Sequence, residues 1–442
     1  MRFFCYSPWV MKPTSYQTEA TAVDVPDVSQ TQGFGGLGIV PKLLQILGRV
    51  GYHIPTPIQH KSIPVANEGK DVLGVAQTGT GKTLAFAVPM IQRLAQGKGI
   101  GLVLAPTREL AIQIEETFQK VGQSIGLRTA VLIGGASMNM QIRDINRRPH
   151  IIVATPGRLI DHIEQRTVRL DSVSVLVLDE ADRMLDMGFE PQIKRILQTV
   201  PQQRQTMLFS ATMPHEILKI AQTYMKSPVR IEIARSGTAA ELVTQEIFAV
   251  QKNDKLRLLE WVLKQPYKSV LVFSRTKHGA KKIAKCVRDM RVTSSEIHSN
   301  RSLAQRREAL DGFKTGRYRV LVATDIAARG IDVTGISLVV NYDLPDVAED
   351  YIHRIGRTGR AGEKGHAIAF ASPDQGQEVR AIERLTGKVL QLSKLPELPP
   401  HRAPTATGST SFQKPFAHRE PSAHTAPAAS GKRRIGRWRP RR

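Results

Sequence analysis

Apolar residues in this chain come in short unbroken runs, separated by longer stretches in which apolar positions recur at helical spacing. Between Phe34 and Ile233 the runs are Val72 to Val75, Leu102 to Leu104, Ala130 to Ile133, Ile151 to Val153, Val175 to Leu178 and Met207 to Phe209. They do not alternate with polar residues, which predicts strands buried on both faces, as in a parallel sheet covered by helices. The pattern lapses from Ala234 to Glu241, where Ser236, Gly237 and Thr238 stand among alanines. It restarts with runs at Ser269 to Phe273, Val320 to Ala323 and Leu338 to Tyr342. The expected fold is α/β, with two parallel-sheet domains in tandem at 33–233 and 246–392 and a linker at 234–245. Residues 1–32, with scattered Pro, Thr, Ser and Gln, read as a flexible leader, and 393–442 as a disordered basic tail.

Composition narrows the class. With 41% hydrophobic and 23% charged residues and a mean hydropathy of -0.22, the chain can fill folded cores, which excludes wholesale disorder. No apolar run approaches the length of a membrane span, and the first ten residues do not read as a signal peptide. Cys5 and Cys286 stand alone, so neither a disulfide framework nor zinc is expected, and a cytoplasmic location fits. A net charge of +24 makes a polyanion a plausible partner, though a merely basic protein would look the same. Residues 401–442 hold ten Lys and Arg against Glu420, seven of them around Trp438 from Gly431 onward, a composition suited to tethering a nucleic-acid chain by charge and stacking, or alternatively to solubility or to binding a protein.

The first chemical motif follows the Val72 to Val75 run. Ala76, Gln77, Thr78, Gly79, Thr80, Gly81, Lys82 and Thr83 form a Gly-rich turn between a strand and an apolar helix opening. Such a turn aims backbone N–H groups and a helix dipole at phosphates. Lys82 would reach the β and γ phosphates and Thr83 a Mg²⁺ ion, although the general pattern has Gly where Ala76 stands. The Val175 to Leu178 run ends in Asp179, Glu180, Ala181 and Asp182, expected beside the phosphate loop on a neighbouring strand. Asp179 would hold Mg²⁺ through water and Glu180 would polarise the attacking water. His353 to Arg360 reads H-R-I-G-R-T-G-R, and Arg357 and Arg360 could meet one phosphate. From spacing alone that run is equally an exposed basic helix end.

Together these motifs resemble the DEAD-box RNA helicases, whose name-giving tetrapeptide is Asp179 to Asp182 here. The resemblance extends from Phe34 to about Ser372, with a RhlE-like branch nearest in plan. It implies two RecA-like domains, ATP with Mg²⁺, an RNA partner, and local, non-processive unwinding in ribosome assembly or RNA decay. By it, Phe34, Tyr52, Gln59 and Asp332 join the nucleotide site, although Tyr52 taken alone would more often be core. The Gln59 amide could pair with both edges of adenine. Pro106, Thr107, Arg108, Gly134, Gly135, Thr155, Pro156, Gly157 and Arg158 match first-domain RNA contacts, and Arg275, Arg306 and Thr324 match second-domain ones. Ser210 and Thr212 would bond Asp182 when the domains close, and His353 would contact the Asp179 to Asp182 loop across the cleft. Arg357 and Arg360 become arginine fingers. Two positions depart from the family: Ser299 replaces a usual Gly, and Leu303 a usual Gln in the segment that ends at Arg306. Ribosomal precursors or RNA-decay proteins are the partners the resemblance suggests. An ATP-gated RNA clamp, an annealing chaperone and a DNA helicase are the rival readings.

Overall fold

The computed structural model describes residues 33–77, 79–97, 99–233, 243–328, 333, 335–359 and 365–400. The expected leader, most of the linker, the tail from residue 401, and Thr78, Asp332 and Arg360 among the site residues lie outside the described residues.

Seven strands build the first sheet: β1 (Val72–Val75), β2 (Ile100–Leu104), β3 (Thr129–Leu132), β4 (Ile151–Ala154), β5 (Val173–Leu178), β6 (Gln205–Ser210) and β7 (Val229–Glu232). All pairings are parallel, in the order β3-β4-β2-β5-β6-β1-β7. The second sheet holds β8 (Val243–Ala249), β9 (Val270–Phe273), β10 (Ser294–Ile297), β11 (Val320–Ala323), β12 (Leu338–Asn341), β13 (Gly365–Ala371) and β14 (Gln391–Ser393). It too is wholly parallel, in the order β10-β11-β9-β12-β13-β8-β14. Counted from its own first strand, each sheet runs 3-4-2-5-6-1-7, so one plan is used twice.

Each of the apolar runs read from the sequence lies on a strand; β13 carries a further one, Ala367 to Ala371, and three of the strands without a run have physical reasons for lacking one. The edge strands β7 and β14 are half exposed and need no continuous apolar face. β10 is polar yet buried: the Ser294 hydroxyl donates to the Ala284 carbonyl, and Glu296 receives both Arg288 and Arg301. Pairing there replaces apolarity as the condition for burial. β8 begins at Val243, inside the segment expected as linker.

Helices cover both faces of each sheet. On one face of the first sheet the Phe86 ring packs 5.6 Å from that of Phe209 and 6.3 Å from that of Phe118. On the other, Leu176, Leu208, Ile196 and Ile217 form a separate fully buried cluster. Because every pairing is parallel, all carboxyl ends of a sheet share one edge, and the loops there carry the motifs. Among the described residues no helix is long and apolar enough to cross a membrane.

Candidate active site

The phosphate loop leaves β1 and enters the helix Lys82–Gln96. Gly79 and Gly81 take φ of 86° and 90°, a left-handed backbone that L side chains avoid. A Cβ at Gly81 would also collide with the Gln59 side-chain nitrogen. Gln59 Nε2 donates to the Gly81 carbonyl at 3.0 Å, and its Oε1 accepts the Thr56 N–H at 2.9 Å. Lys82 is buried and its Nζ donates to the Ala76 carbonyl at 2.9 Å, while the Thr80 hydroxyl donates to the Gln77 carbonyl at 2.7 Å. Phe34 lies in the first-domain core and Tyr52 packs partly buried against it.

β5 delivers the acidic residues. The expectation that this strand adjoins β1 is corrected, because β6 lies between them. That intervening strand is functional: its end supplies Ser210 and the following Thr212. Asp182 Oδ2 accepts the Ala211 N–H at 3.0 Å, the Thr212 N–H at 2.9 Å and the Thr212 hydroxyl at 2.9 Å. The Asp182 N–H donates to Ser210 Oγ at 3.2 Å, so the serine hydroxyl accepts from the backbone while the threonine hydroxyl donates to the carboxylate.

Glu180 holds φ 51° and ψ 51°, a left-handed conformation costly for a non-glycine residue, which turns the chain sharply from β5 into the helix Ala181–Asp186. Asp179 is fully enclosed, and its Oδ1 accepts the Glu180 N–H at 3.0 Å. Burial pushes its carboxyl up to about 7, against the opposing pull of the Lys82 charge. Glu180 pairs with the buried Arg183, whose Nε lies 3.6 Å from Glu180 Oε2.

The second domain presents the helix Ala348–Ile355 to this loop. A cavity of about 10 Å³ is lined by Arg183 of the first domain and by Phe273, Asp325, His353, Arg354 and Arg357 of the second. His353 is driven down to about 3 by burial, then by the Arg183 charge, with Asp182 and Glu180 pulling the other way. It therefore faces the acidic loop as a neutral ring. Arg354, 2% exposed, forks onto Asp325 at 2.5 and 2.7 Å, donates to Asn341 Oδ1 at 3.0 Å and to the Asp343 carbonyl at 2.6 Å, and lies over the Phe273 ring.

The residues expected to meet RNA gather in two groups. In the first domain, Thr107 and Thr155 precede the helices Arg108–Gly122 and Pro156–Glu164, with Pro106 buried and Gly157 in the opening turn. The Arg108 guanidinium lies so close over Gly134 and Gly135 that a Cβ at either would press on it. Arg158 Nη1 donates to the Ala136 carbonyl at 3.0 Å, closing the group. In the second domain the exposed Arg275 donates to the Leu344 carbonyl and pairs with Asp346, and Thr324 precedes the short helix Asp325–Ala328. Arg306 is buried, its Nη2 2.9 Å from Glu109 Oε2 of the first domain. Sequence reasoning missed Glu109, Arg183, Asp325 and Arg354. All four stand inside or beside quoted motifs, and charge within a motif was the available signal.

The sequence matches the model of the DEAD/DEAH box helicase domain over residues 56–220 and that of the helicase conserved C-terminal domain over residues 252–362. It is 44% identical over 367 residues to the ATP-dependent RNA helicase CshA of Listeria monocytogenes, covering 82% of this chain and 70% of that protein. To the ATP-dependent rRNA helicase RRP3 of Debaryomyces hansenii it is 42% identical over 374 residues, 84% of this chain and 78% of that one. The fold is similar to that of Dbp5 of S. cerevisiae bound to RNA and ADP BeF3, with a TM-score of 0.73, 30% identity, and coverage of 82% of this chain and 95% of that one.

Proposed function

Because the chain belongs to the DEAD-box family of ATP-dependent RNA helicases, we propose that it separates short RNA duplexes locally and non-processively, or remodels RNA–protein complexes, once per ATP hydrolysed. The observation that carries this reading is the meeting of both domains at one acidic loop. Glu180, Asp182 and Arg183 come from the first, and His353 and Arg357 from the second. With half the site on each domain, ATP favours closure, and whatever else favours closure is coupled reciprocally to ATP.

The loop from Ala76 to Thr83 would hold the phosphates, with the Lys82 ammonium turned from the Ala76 carbonyl toward them. Glu180 would orient and polarise the attacking water, its carboxylate held by Arg183. Arg357, with Arg360, would stabilise charge spreading over the γ-phosphoryl oxygens. The donor set fits Mg²⁺. Asp179 is a buried carboxylate whose charge burial penalises, so a cation would relieve it, and Thr83 would supply the hydroxyl ligand. When bound, the ion neutralises phosphate charge.

Arg108 and Arg158 with the Gly134–Gly135 pair on one domain, and Arg275 and Thr324 on the other, would grip the backbone of one strand and exclude its partner. Structured ribosomal precursors or decaying transcripts in the cytoplasm are the substrates we favour, with ribosomal precursors or RNA-decay proteins as partners. The test is the ATPase rate of the full chain without nucleic acid, with single-stranded RNA and with matched DNA, beside Glu180→Gln. Stimulation by RNA alone, abolished in the variant, is expected. Equal stimulation by DNA overturns the reading in favour of a DNA enzyme. RNA binding and ATP turnover without release of a duplex strand would make it a clamp.

A further inference from the structure

The helix Lys277–Asp289 buries Ala280, Ile283, Ala284 and Val287 against the second sheet and turns Lys277, Lys281, Lys282 and Lys285 outward. Lys277, Lys281 and Lys285 are spaced by four, one row along one face, with Lys282 beside it. Like charges at that spacing repel, and surface helices normally relieve this with carboxylates of opposite sign. Elsewhere in this chain they do, as in Lys194 with Glu190 and Lys264 with Glu260. Here, among the described residues, none of the four lysines pairs with a carboxylate. The nearby Glu296 is taken by Arg288 and Arg301. A helix with an apolar inner face and an outer face of four lysines, met on its own row only by Asp289 one turn beyond Lys285, suits an anionic partner.

Its position says which one. The helix starts one residue after Arg275 and Thr276, at the carboxyl end of β9, and descends for about 20 Å at about 1.5 Å per residue. Charges link the helix to the cleft. His298, buried just after β10, lies within electrostatic reach of Glu296 and of Arg301, Lys281 and Arg306, and Arg306 pairs with Glu109 of the first domain. A polyanion leaving the cleft past Arg275 therefore meets Lys277, then Lys281 and Lys282, then Lys285, about 6 Å apart.

We propose that this lysine face is a second RNA-backbone surface, which holds RNA continuing beyond the segment gripped at the cleft. The proposal rests on RNA being the cleft's ligand. Exposed lysines meet phosphates as point charges and read no sequence, so the surface adds affinity and salt dependence without adding specificity.

The test uses the full chain and a variant with Lys277→Gln, Lys281→Gln, Lys282→Gln and Lys285→Gln. Affinities are read by fluorescence anisotropy with a non-hydrolysable ATP analogue present. One probe is a single-stranded RNA of about ten nucleotides, near the footprint of one binding groove. The other is the same RNA extended threefold. The extended RNA should bind the variant tenfold or more weakly, with the log–log salt slope reduced by about 0.7 for each phosphate that the variant leaves un-neutralised. The short RNA should bind both proteins equally and stimulate their ATPase equally, and the variant's melting temperature should be no lower than the wild type's. Unchanged affinity and slope for the extended RNA would make the face merely solvated and overturn the proposal. An equal loss on both probes would also overturn it, since the lysines would then act through the general field of the cleft. Failure of the wild-type chain to bind the short RNA would instead sink the RNA reading on which the proposal stands.

Discussion

Asp182 shows how one carboxylate can hold a turn. Three donors converge on its Oδ2, two of them backbone N–H groups of the partly buried turn after β6. Asp182→Ala should therefore destabilise the first domain by about 2–3 kcal/mol, whereas Thr212→Val, which removes only a hydroxyl, should cost about 1 kcal/mol. Urea unfolding of the two variants checks the ranking, and equal costs would refute it. His353 makes a pH prediction. Its folded value near 3 lies below the ordinary 6.5, so the closed protein keeps the ring neutral while an opened or unfolded one protonates it. Closure is unaffected above 6.5 and loses at most about 1.4 kcal/mol for each unit of pH below it. RNA affinity with an ATP analogue should thus fall up to tenfold from pH 6.5 to 5.5, and His353→Gln should remove that part of the slope. Asp179, shifted the opposite way, titrates in both proteins and cancels from the comparison. At this scale the sequence was most legible where chemistry sits on contiguous residues, as in Gly79 to Thr83 and Asp179 to Asp182. It was less legible at Arg183, a charge just after that run whose role shows only once Glu180 and His353 are placed around it.

Between elements, the telling contact joins Glu109, opening the helix Arg108–Gly122, to Arg306 on the helix Leu303–Lys314, 197 positions away. No local pattern predicts a pair so distant. Burial pulls the Arg306 pKa down more than Glu109 holds it up, so desolvation outweighs attraction, and the pair sets orientation more than it stabilises. Breaking one partner should cost several-fold in RNA affinity measured with an ATP analogue, through Glu109→Gln or Arg306→Met. The double variant should recover much of that loss, and a purely additive double variant would contradict the account. Arg354 is the comparable device inside the second domain. It ties Asp325, next to Thr324, to the helix that carries His353, so Arg354→Lys, which loses the fork, should lower RNA-stimulated turnover by about tenfold or more. The check is whether unstimulated turnover falls as far. If it does, Arg354 merely supports the fold. Strand identity was readable from β-branched runs, but β10 was not, because its burial depends on ion pairs made by residues from other elements.

Across the whole molecule, periodicity was enough to reveal two sheets, while their strand order could not be read, since order depends on which crossovers the chain takes. The identity of the two orders has a further meaning. A fold laid down twice begins with two equivalent places for a phosphate loop, one after β1 and one after β8. Only the first has its glycines. After β8 the chain reads Val250, Gln251, Lys252, Asn253 and Asp254, which cannot form such a turn. One copy would thus be the holder and the other the latch, and among the described residues only the first sheet offers a phosphate loop. On the reading proposed above, each ATP hydrolysed would then end in reset, and a long duplex would be met by many separate visits.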